Sequence, residues 1–450
     1  MSKTIAIIGG GISGTLVVLN VLKHSQVPVS ILWFDDKNSF CKGLAYSTQN
    51  DEHLLNVRAS NMSVFVDEPE HFVSWLLKHK FLYSATDFVP RSIYGNYVLS
   101  VFNELNQPTN HGANTITVKQ FAEEVKSIRQ ENDEFIISAT QNYRVQQVVL
   151  GFGNFLPAHP LPLATKAISK EFIFSKRYYQ NAFSPLLFQN VTRCQHITII
   201  GSGLTMVDVV MSLNKQHYQG KIQVISPHGY LPQAHLEEPL PSIPSFINER
   251  EHYTLLQIVH LVNIQLKSAK ANQLHIHSMI DALRPHVQRL WTGFSLDDKK
   301  QFLRHLRHKW GLARHRAPSQ SIQVLNEYMK SQRLMVLKGR IFDIQSNTDG
   351  FDIYYSTKAN QKNSFKTELI VNCTGPESDF EKIDLPLIKQ LIKDGIIEAD
   401  SLKYGLKSMP NGQITNNLFT IGPPLKGILW ESTAVPEIRI QAKQLVEMLL

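Results

Sequence analysis

Two glycine-rich turns lie 192 residues apart in this chain, each between a short apolar run and a helical pattern. The first is Gly9-Gly10-Gly11-Ile12-Ser13-Gly14, after Thr4-Ile5-Ala6-Ile7-Ile8. The second is Gly201-Ser202-Gly203-Leu204-Thr205-Met206, after His196-Ile197-Thr198-Ile199-Ile200. A buried strand, a tight glycine turn and an immediate helix open a parallel α/β unit. Gly9 permits the turn, Gly11 lets backbone approach a ligand, and Gly14 lets the helix lie close on the strand. The N–H groups left unpaired at the helix start, around Ile12 and Ser13, then suit a pyrophosphate.

The second strand of each unit separates the two turns chemically. Val29–Phe34 ends in Asp35, 21 residues after Gly14, the expected acceptor for ribose hydroxyls, with Asp36 as the alternative. In the second unit Gly201 and Gly203, with Leu204 and Thr205, keep the turn, but Met206 replaces the third glycine. Its next strand, Ile222–Ser226, runs into Pro227-His228-Gly229 with no acid. Without that acid nothing repels a 2′-phosphate, which favours NADPH and leaves NADH open. No arginine stands at 227 or 228 to grip the phosphate; Ser226 and His228 are the nearest substitutes.

The order of elements repeats. In the first unit, strands at Thr115–Val118, Phe121–Arg129 and Phe135–Ala139 precede a buried strand, Gln147–Leu150, and the loop Gly151-Phe152-Gly153-Asn154. In the second, Leu334–Gln345 alternates as one strand, Asp349-Gly350 forms a hairpin turn, and Phe351–Ser356 follows. Glu368–Asn372 then enters Cys373-Thr374-Gly375-Pro376. The loops place Gly153, Thr374 and Gly375 among the expected cofactor contacts. Between the units, Leu, His, Arg and Lys recur with helical spacing. The prolines at 157–162 and 239–244 mark crossings. The expected fold is α/β: two Rossmann-like dinucleotide-binding domains with a helical insertion. Residues 1–156 would open the first domain, 157–376 form the second with its insertion at about 245–332, and 377–450 complete the first.

Composition excludes several classes. A chain of 450 residues that is 43% hydrophobic and 19% charged can build two or three cores. The run from Ile5 to Leu22 is the sole candidate span, and the three glycines that interrupt it at Gly9 to Gly11 fit a strand-turn-helix better than a membrane segment or signal peptide. Cys41, Cys194 and Cys373 form no close pair, which argues against a dithiol reductase and for a cytoplasmic setting. No metal spacing or acyl-transfer motif occurs; His305, His308 and His315 read as surface or packing residues. The net charge is +8, and between Asp281 and Arg340 Lys and Arg outnumber Asp and Glu by 13 to 4. That segment suits an anionic small molecule; it lacks the aromatic repeats of a nucleic-acid platform.

Several stretches resemble the bacterial FAD-NAD(P)-binding protein family, related to the N-hydroxylating flavin monooxygenases. They are His53-Leu54-Leu55-Asn56-Val57 with Met62-Ser63, Pro90-Arg91-Ser92-Ile93-Tyr94-Gly95-Asn96-Tyr97, Gly201 to Asp208, and Asp281-Ala282-Leu283-Arg284-Pro285. Phe302 to Leu306, His315-Arg316, Asn372 to Pro376 and Trp430 to Ile438 complete the set. The resemblance implies a glutathione-reductase-like, flavin-monooxygenase-like arrangement, with FAD on the N-terminal turn closed over by the C-terminal segment. It places Gly43 to Met62, with Leu55, Asn56 and Met62, along the flavin. It places Gly422 beside the ribityl chain and a helix opening near Thr433 at the pyrimidine. Arg58, Phe152, Pro423 and Pro227-His228 depart from the family's pattern.

The expected activity is an FAD-dependent oxidoreductase, an NADPH-using monooxygenase on a small anionic or amine substrate. No catalytic side chain is singled out, because the flavin carries the chemistry. Arg91, Arg284, Arg304, His315 and Arg316 are the candidate substrate residues. The alternatives are an NAD(P)H oxidase or acceptor reductase, separable by whether oxygen enters a product, and a flavin-binding sensor that turns nothing over. The sequence leaves oligomeric state open.

Overall fold

The computed structural model describes residues 3–36, 39–107, 116–161, 170–236, 243–271 and 275–450. Thr115, Pro162 and the prolines at 239 and 241, assigned above to a strand and to crossings, lie outside these residues.

A six-stranded sheet is ordered Gln413–Thr415, Leu418–Thr420, Gln147–Leu150, Lys3–Ile8, Val29–Phe34, Ile116–Phe121. All pairs are parallel except the first. A five-stranded parallel sheet is ordered Leu334–Lys338, Lys221–Ser226, His196–Ile200, Leu369–Asn372, Tyr178–Tyr179. The strands that feed the two turns lie inside their sheets, between neighbours on both sides, which is why they read as unbroken apolar runs. Ile5, Ala6 and Ile7 are fully buried, as are Thr198 and Ile199.

The internal repeat is visible strand by strand. Each sheet carries an antiparallel three-stranded meander just before its returning strand. Ser127–Glu131, Glu134–Ser138 and Asn142–Val145 precede Gln147–Leu150; Arg340–Ser346, Phe351–Ser356 and Lys362–Thr367 precede Leu369–Asn372. Two expectations are corrected here. Phe121 to Arg129 is not one strand: Phe121 ends Ile116–Phe121 in the parallel sheet, and Ser127–Glu131 opens the meander. Leu334 to Gln345 is not a single strand: it breaks at Gly339, so that Leu334–Lys338 joins the parallel sheet and Arg340–Ser346 the meander. A Cβ at Gly339 would lie 2.4 Å from the Tyr355 ring, which only glycine avoids.

The helical region comprises Leu255–Ala271, Ile276–Leu283, Val287–Gly293, Leu296–His305, Arg307–Arg314 and Ser319–Lys330. The last of these packs Leu325 and Tyr328 into the core of the second sheet and serves as its crossover helix. The others bury Leu283, Leu290, Trp291 and Phe294 against Trp430, with Leu402 and Tyr404 at the edge. Trp291 Nε1 donates to the Gly427 carbonyl at 2.9 Å, and Gln288 Nε2 donates to that of Glu431 at 3.0 Å. The helices that interrupt the second sheet's sequence are thus bolted to the C-terminal segment that completes the first. Among the described residues no helix is long and apolar enough to cross a membrane.

Candidate functional site

The first turn is held by three contacts that its sequence makes possible. Gly9 has φ +118°, and a Cβ there would lie 2.3 Å from the Gly151 carbonyl oxygen. A Cβ at Gly14 would lie 2.1 Å from the Gly9 oxygen, so the helix Ile12–His24 sits directly on the turn. The fully buried Trp33 donates its indole N–H to that same oxygen at 3.0 Å.

Asp35 takes part in the turn itself. Its Oδ2 accepts the Gly10 N–H at 2.7 Å and its Oδ1 the Ser39 N–H at 3.2 Å, while Asp36 is exposed. The Ser39 hydroxyl also lies 3.4 Å from both carboxylate oxygens, so Asp35 ties the turn to the segment that follows its strand. Gly43, with φ +53°, opens the stretch that the resemblance places along the flavin. A Cβ there would lie 2.7 Å from Gly11 Cα, so the two glycine backbones touch beside the turn.

The C-terminal segment closes onto this turn. Gly422, φ +79°, lies against Ser13, and a Cβ on it would reach Ser13 Oγ at 2.4 Å. Its N–H donates to Gln441 Oε1 at 3.0 Å. Leu55 and Met62 are buried, and the Asn56 carbonyl accepts from His235 Nε2 at 3.1 Å. Arg58 donates to the carbonyls of Thr86 and Leu236, at 2.6 and 2.7 Å, and stacks over Phe88. Phe152 packs with Phe155 and Phe380. Thr433 is exposed and does not cap the C-terminal helix. That helix is Val435–Leu449 with Ala434 as its N-cap, because Pro436 suits the first turn of a helix.

The second turn repeats the first with one change. Gly201, φ +102°, sits over Cys373, whose oxygen a Cβ would approach to 2.3 Å. The helix Leu204–Lys215 begins at Leu204 and Thr205 after Gly203. Met206, in the place of the third glycine, is fully buried in the core of the second sheet. No atom lies within 4 Å of a Cβ built at Gly153, Gly203 or Gly375, so open space stands over both units' loops. Thr374 is exposed and bonds Asn372 Oδ1 at 2.7 Å. Ser226 Oγ meets Ser202 Oγ at 2.9 Å and accepts the Gly229 N–H at 3.0 Å.

The candidate substrate residues do not converge. Arg91 does not stand in a loop: it opens the helix Arg91–Leu105 and pairs with Asp208 on the helix that follows the second turn. Arg316 pairs with Asp281 at 2.5 Å, and Arg304 is exposed on Leu296–His305. Arg284 bonds Glu437 at 2.7 Å. Arg314 lies 3.5 Å from Glu431 and 3.7 Å from Glu437, and Trp310 Nε1 donates to Glu431 at 2.7 Å. His315, which follows the helix Arg307–Arg314, is exposed. Desolvation lowers its pKa, against the pull of Glu431. Glu431 and Glu437 were not singled out; the Trp430–Ile438 stretch quoted above contains both.

The three thiols stay apart and dormant. Burial pushes Cys41 up to about 12, and burial also raises Cys373 and Cys194. Among the described residues no three His, Cys, Asp or Glu side chains gather as a metal site.

Residues 6–155 match the FAD-NAD(P)-binding family. A search of the curated proteins finds no match. Among solved structures, the ornithine N-hydroxylase of Kutzneria sp. 744, described with reduced FAD, NADP+ and L-ornithine, superposes with a TM-score of 0.65. Identity is 13%, over 100% of this chain and 99% of that one. DfoA, the cadaverine monooxygenase of Erwinia amylovora bound to FAD, gives 0.65 at 11% identity, over 100% and 94%. The L-lysine 6-monooxygenase of Pseudomonas syringae gives 0.65 at 13%, over 100% and 99%. These likenesses establish the fold: two dinucleotide-binding domains, as in the flavoproteins that carry it.

Proposed function

We propose that this chain, whose residues 6–155 match the FAD-NAD(P)-binding family, is an FAD-dependent monooxygenase that uses NADPH and acts on the amine of a small molecule. The observation that carries the reading is the pair of repeated turns, each with open space above its loops, at Gly153 in one unit and at Gly203 and Gly375 in the other. Three similar structures, of enzymes acting on ornithine, cadaverine and lysine, supply the reaction class.

The residues fit the groups. Gly9, Gly11, Ser13 and Gly14 would cradle the FAD pyrophosphate at the start of Ile12–His24, with Asp35 fixing the turn through Gly10. Gly422, pressed against Ser13, would close the site from the C-terminal side. Gly201, Gly203, Leu204 and Thr205 would hold the NADPH pyrophosphate, with Thr374 and Gly375 facing the same space. Bound flavin supplies hydride acceptance and oxygen activation; the protein orients the rings and excludes water. A cytoplasmic setting belongs to the same reading.

The test is anaerobic mixing of the purified protein with NADPH. Bleaching of a protein-bound flavin band is expected. A colourless protein that takes up no FAD defeats the proposal, and so does bound flavin that NADPH leaves oxidised.

A further inference from the structure

The end of the second unit's second strand is where sequence offers no cation. The structure supplies several from elsewhere. Ser226 pairs in register with Lys338 on the neighbouring strand, and the loop residue Gly229 lies against it: a Cβ there would be 3.1 Å from Lys338 Cβ. Arg340 follows Gly339, whose N–H is bound by the Ser226 carbonyl at 3.0 Å. From the helical region, His308 brings its ring to 4.4 Å from that of His228, and the Arg307 guanidinium lies 3.2 Å from His308 Nε2. His228 in turn stacks flat on Tyr230, with 11° between planes. Lys338, Arg340 and His308 are exposed. Among the described residues no carboxylate forms a salt bridge with Lys338, Arg340 or Arg307, although ion pairs are common elsewhere in the chain.

We infer that this patch is the seat of an adenosine 2′-phosphate, with Lys338, Arg340 and Arg307 as its cations and the His228–Tyr230 stack as a shelf for the adenine. The inference rests on the nicotinamide site proposed above and makes the helical region, through Arg307, a partner of the strand-end Lys338 and Arg340 in telling NADPH from NADH. Two physical arguments support it. Like charges held together without a counter-ion are unfavourable until an anion arrives, so the patch is set for a multivalent anion. The charges of Arg340, Lys338 and Arg307 also reach His228, where, after desolvation, they lower its proton affinity. Arg307 further touches the Tyr404 hydroxyl, so one guanidinium joins the patch to the C-terminal segment.

The experiment is calorimetric titration of the full-length protein with 2′,5′-ADP and with 5′-ADP, which carry the same phosphates in different places. Tighter binding of 2′,5′-ADP is expected. Arg340→Gln, Lys338→Gln and Arg307→Ala should each weaken it by about tenfold, the loss of one charge-assisted hydrogen bond, and leave 5′-ADP unchanged. Tyr404→Phe, which removes only the phenol beyond Arg307, should leave the preference intact. Equal affinity for the two nucleotides overturns the inference and leaves the flavin reading standing, as does a preference that survives all three substitutions. Binding of neither nucleotide overturns the inference and the NADPH assignment together.

Discussion

Arg91 and Asp208 meet in a two-pronged ion pair, Nη1 to Oδ2 at 2.9 Å and Nη2 to Oδ1 at 3.1 Å, across the seam between the two units. Arg91 opens a helix of the first unit, and Asp208 lies in the first turns of the helix that follows the second glycine turn. Beside them the buried His53 bonds the Asp208 carbonyl at 2.9 Å and Ser212 Oγ at 2.8 Å. A carbonyl only accepts, so His53 carries its proton on Nε2, and Nδ1 receives the Thr48 hydroxyl at 2.8 Å. The seam therefore fixes the second turn's helix relative to the first unit.

Breaking this pair should loosen that relation. The side chains of Arg91 and Asp208 are 17% and 11% exposed, so Asp208→Ala leaves a nearly buried guanidinium unpaired. We expect a loss of about 2 kcal/mol in denaturant unfolding. The exchange Arg91→Asp with Asp208→Arg should recover part of it in a double-mutant cycle. Equal stability of Asp208→Ala and the parent would show the pair to be incidental.

The glycine turns give a sharper outcome. Gly9→Ala places a Cβ 2.3 Å from the Gly151 oxygen at a φ of +118°, and Gly43→Ala places one 2.7 Å from Gly11 Cα. Gly9 lies in the turn and Gly43 opens the short helix Gly43–Tyr46 packed against it, so FAD retained through gel filtration should fall by an order of magnitude, about 1.4 kcal/mol, or more. Gly203→Ala meets nothing within 4 Å and should leave FAD content unchanged. Its effect belongs to NADPH affinity, read as KM.

Acid should destabilise the fold in a definite window. Desolvation, aided by Arg316, lowers His235 and His277 to about 4, and His53 shifts the same way. These imidazoles are neutral when folded and take protons near 6.5 when unfolded. The unfolded chain thus binds more protons below about pH 6.5, so stability holds above that value and falls as pH drops towards about 4. The slope is at most about 1.4 kcal/mol per pH unit for each histidine. Urea midpoints measured across this range should decline, and His235→Gln should flatten the curve. A flat parent profile would contradict the assignment of neutral, buried rings.

Sequence reading reached the parts of the fold that local pattern determines. Gln147–Leu150 and Phe351–Ser356 keep their expected bounds, because buried strands and a hairpin turn leave a short-range signature. It failed where long-range packing decides. The break at Gly339 depends on Tyr355 across the meander, and missing it hid Lys338 and Arg340 at the strand end. Arg91 and Arg284 look free in a sequence, since their partners Asp208 and Glu437 lie 117 and 153 residues away. The basic excess of the region 281–340 was legible as charge. Its division between internal ion pairs and the open patch beside Ser226 needed the fold.

Removing the thiols tests the chemistry that this site does not use. The Cys41→Ala, Cys194→Ser and Cys373→Ala triple variant should retain NADPH-dependent flavin reduction within a factor of about three, as thiols whose pKa burial raises, two of them buried and Cys194 half-buried, carry no exchange step. Loss of reduction with flavin still bound would reinstate a dithiol mechanism.

Oxygen activated in this protein should enter an amine. The direct measurement is turnover under oxygen-18 gas with NADPH and a panel of small amines and amino acids, read by mass spectrometry of the amine. One labelled oxygen atom is expected in an N-hydroxylated product, with NADPH oxidation stimulated by that amine alone. NADPH consumed at one rate with every amine, and all the label recovered as hydrogen peroxide, would contradict it.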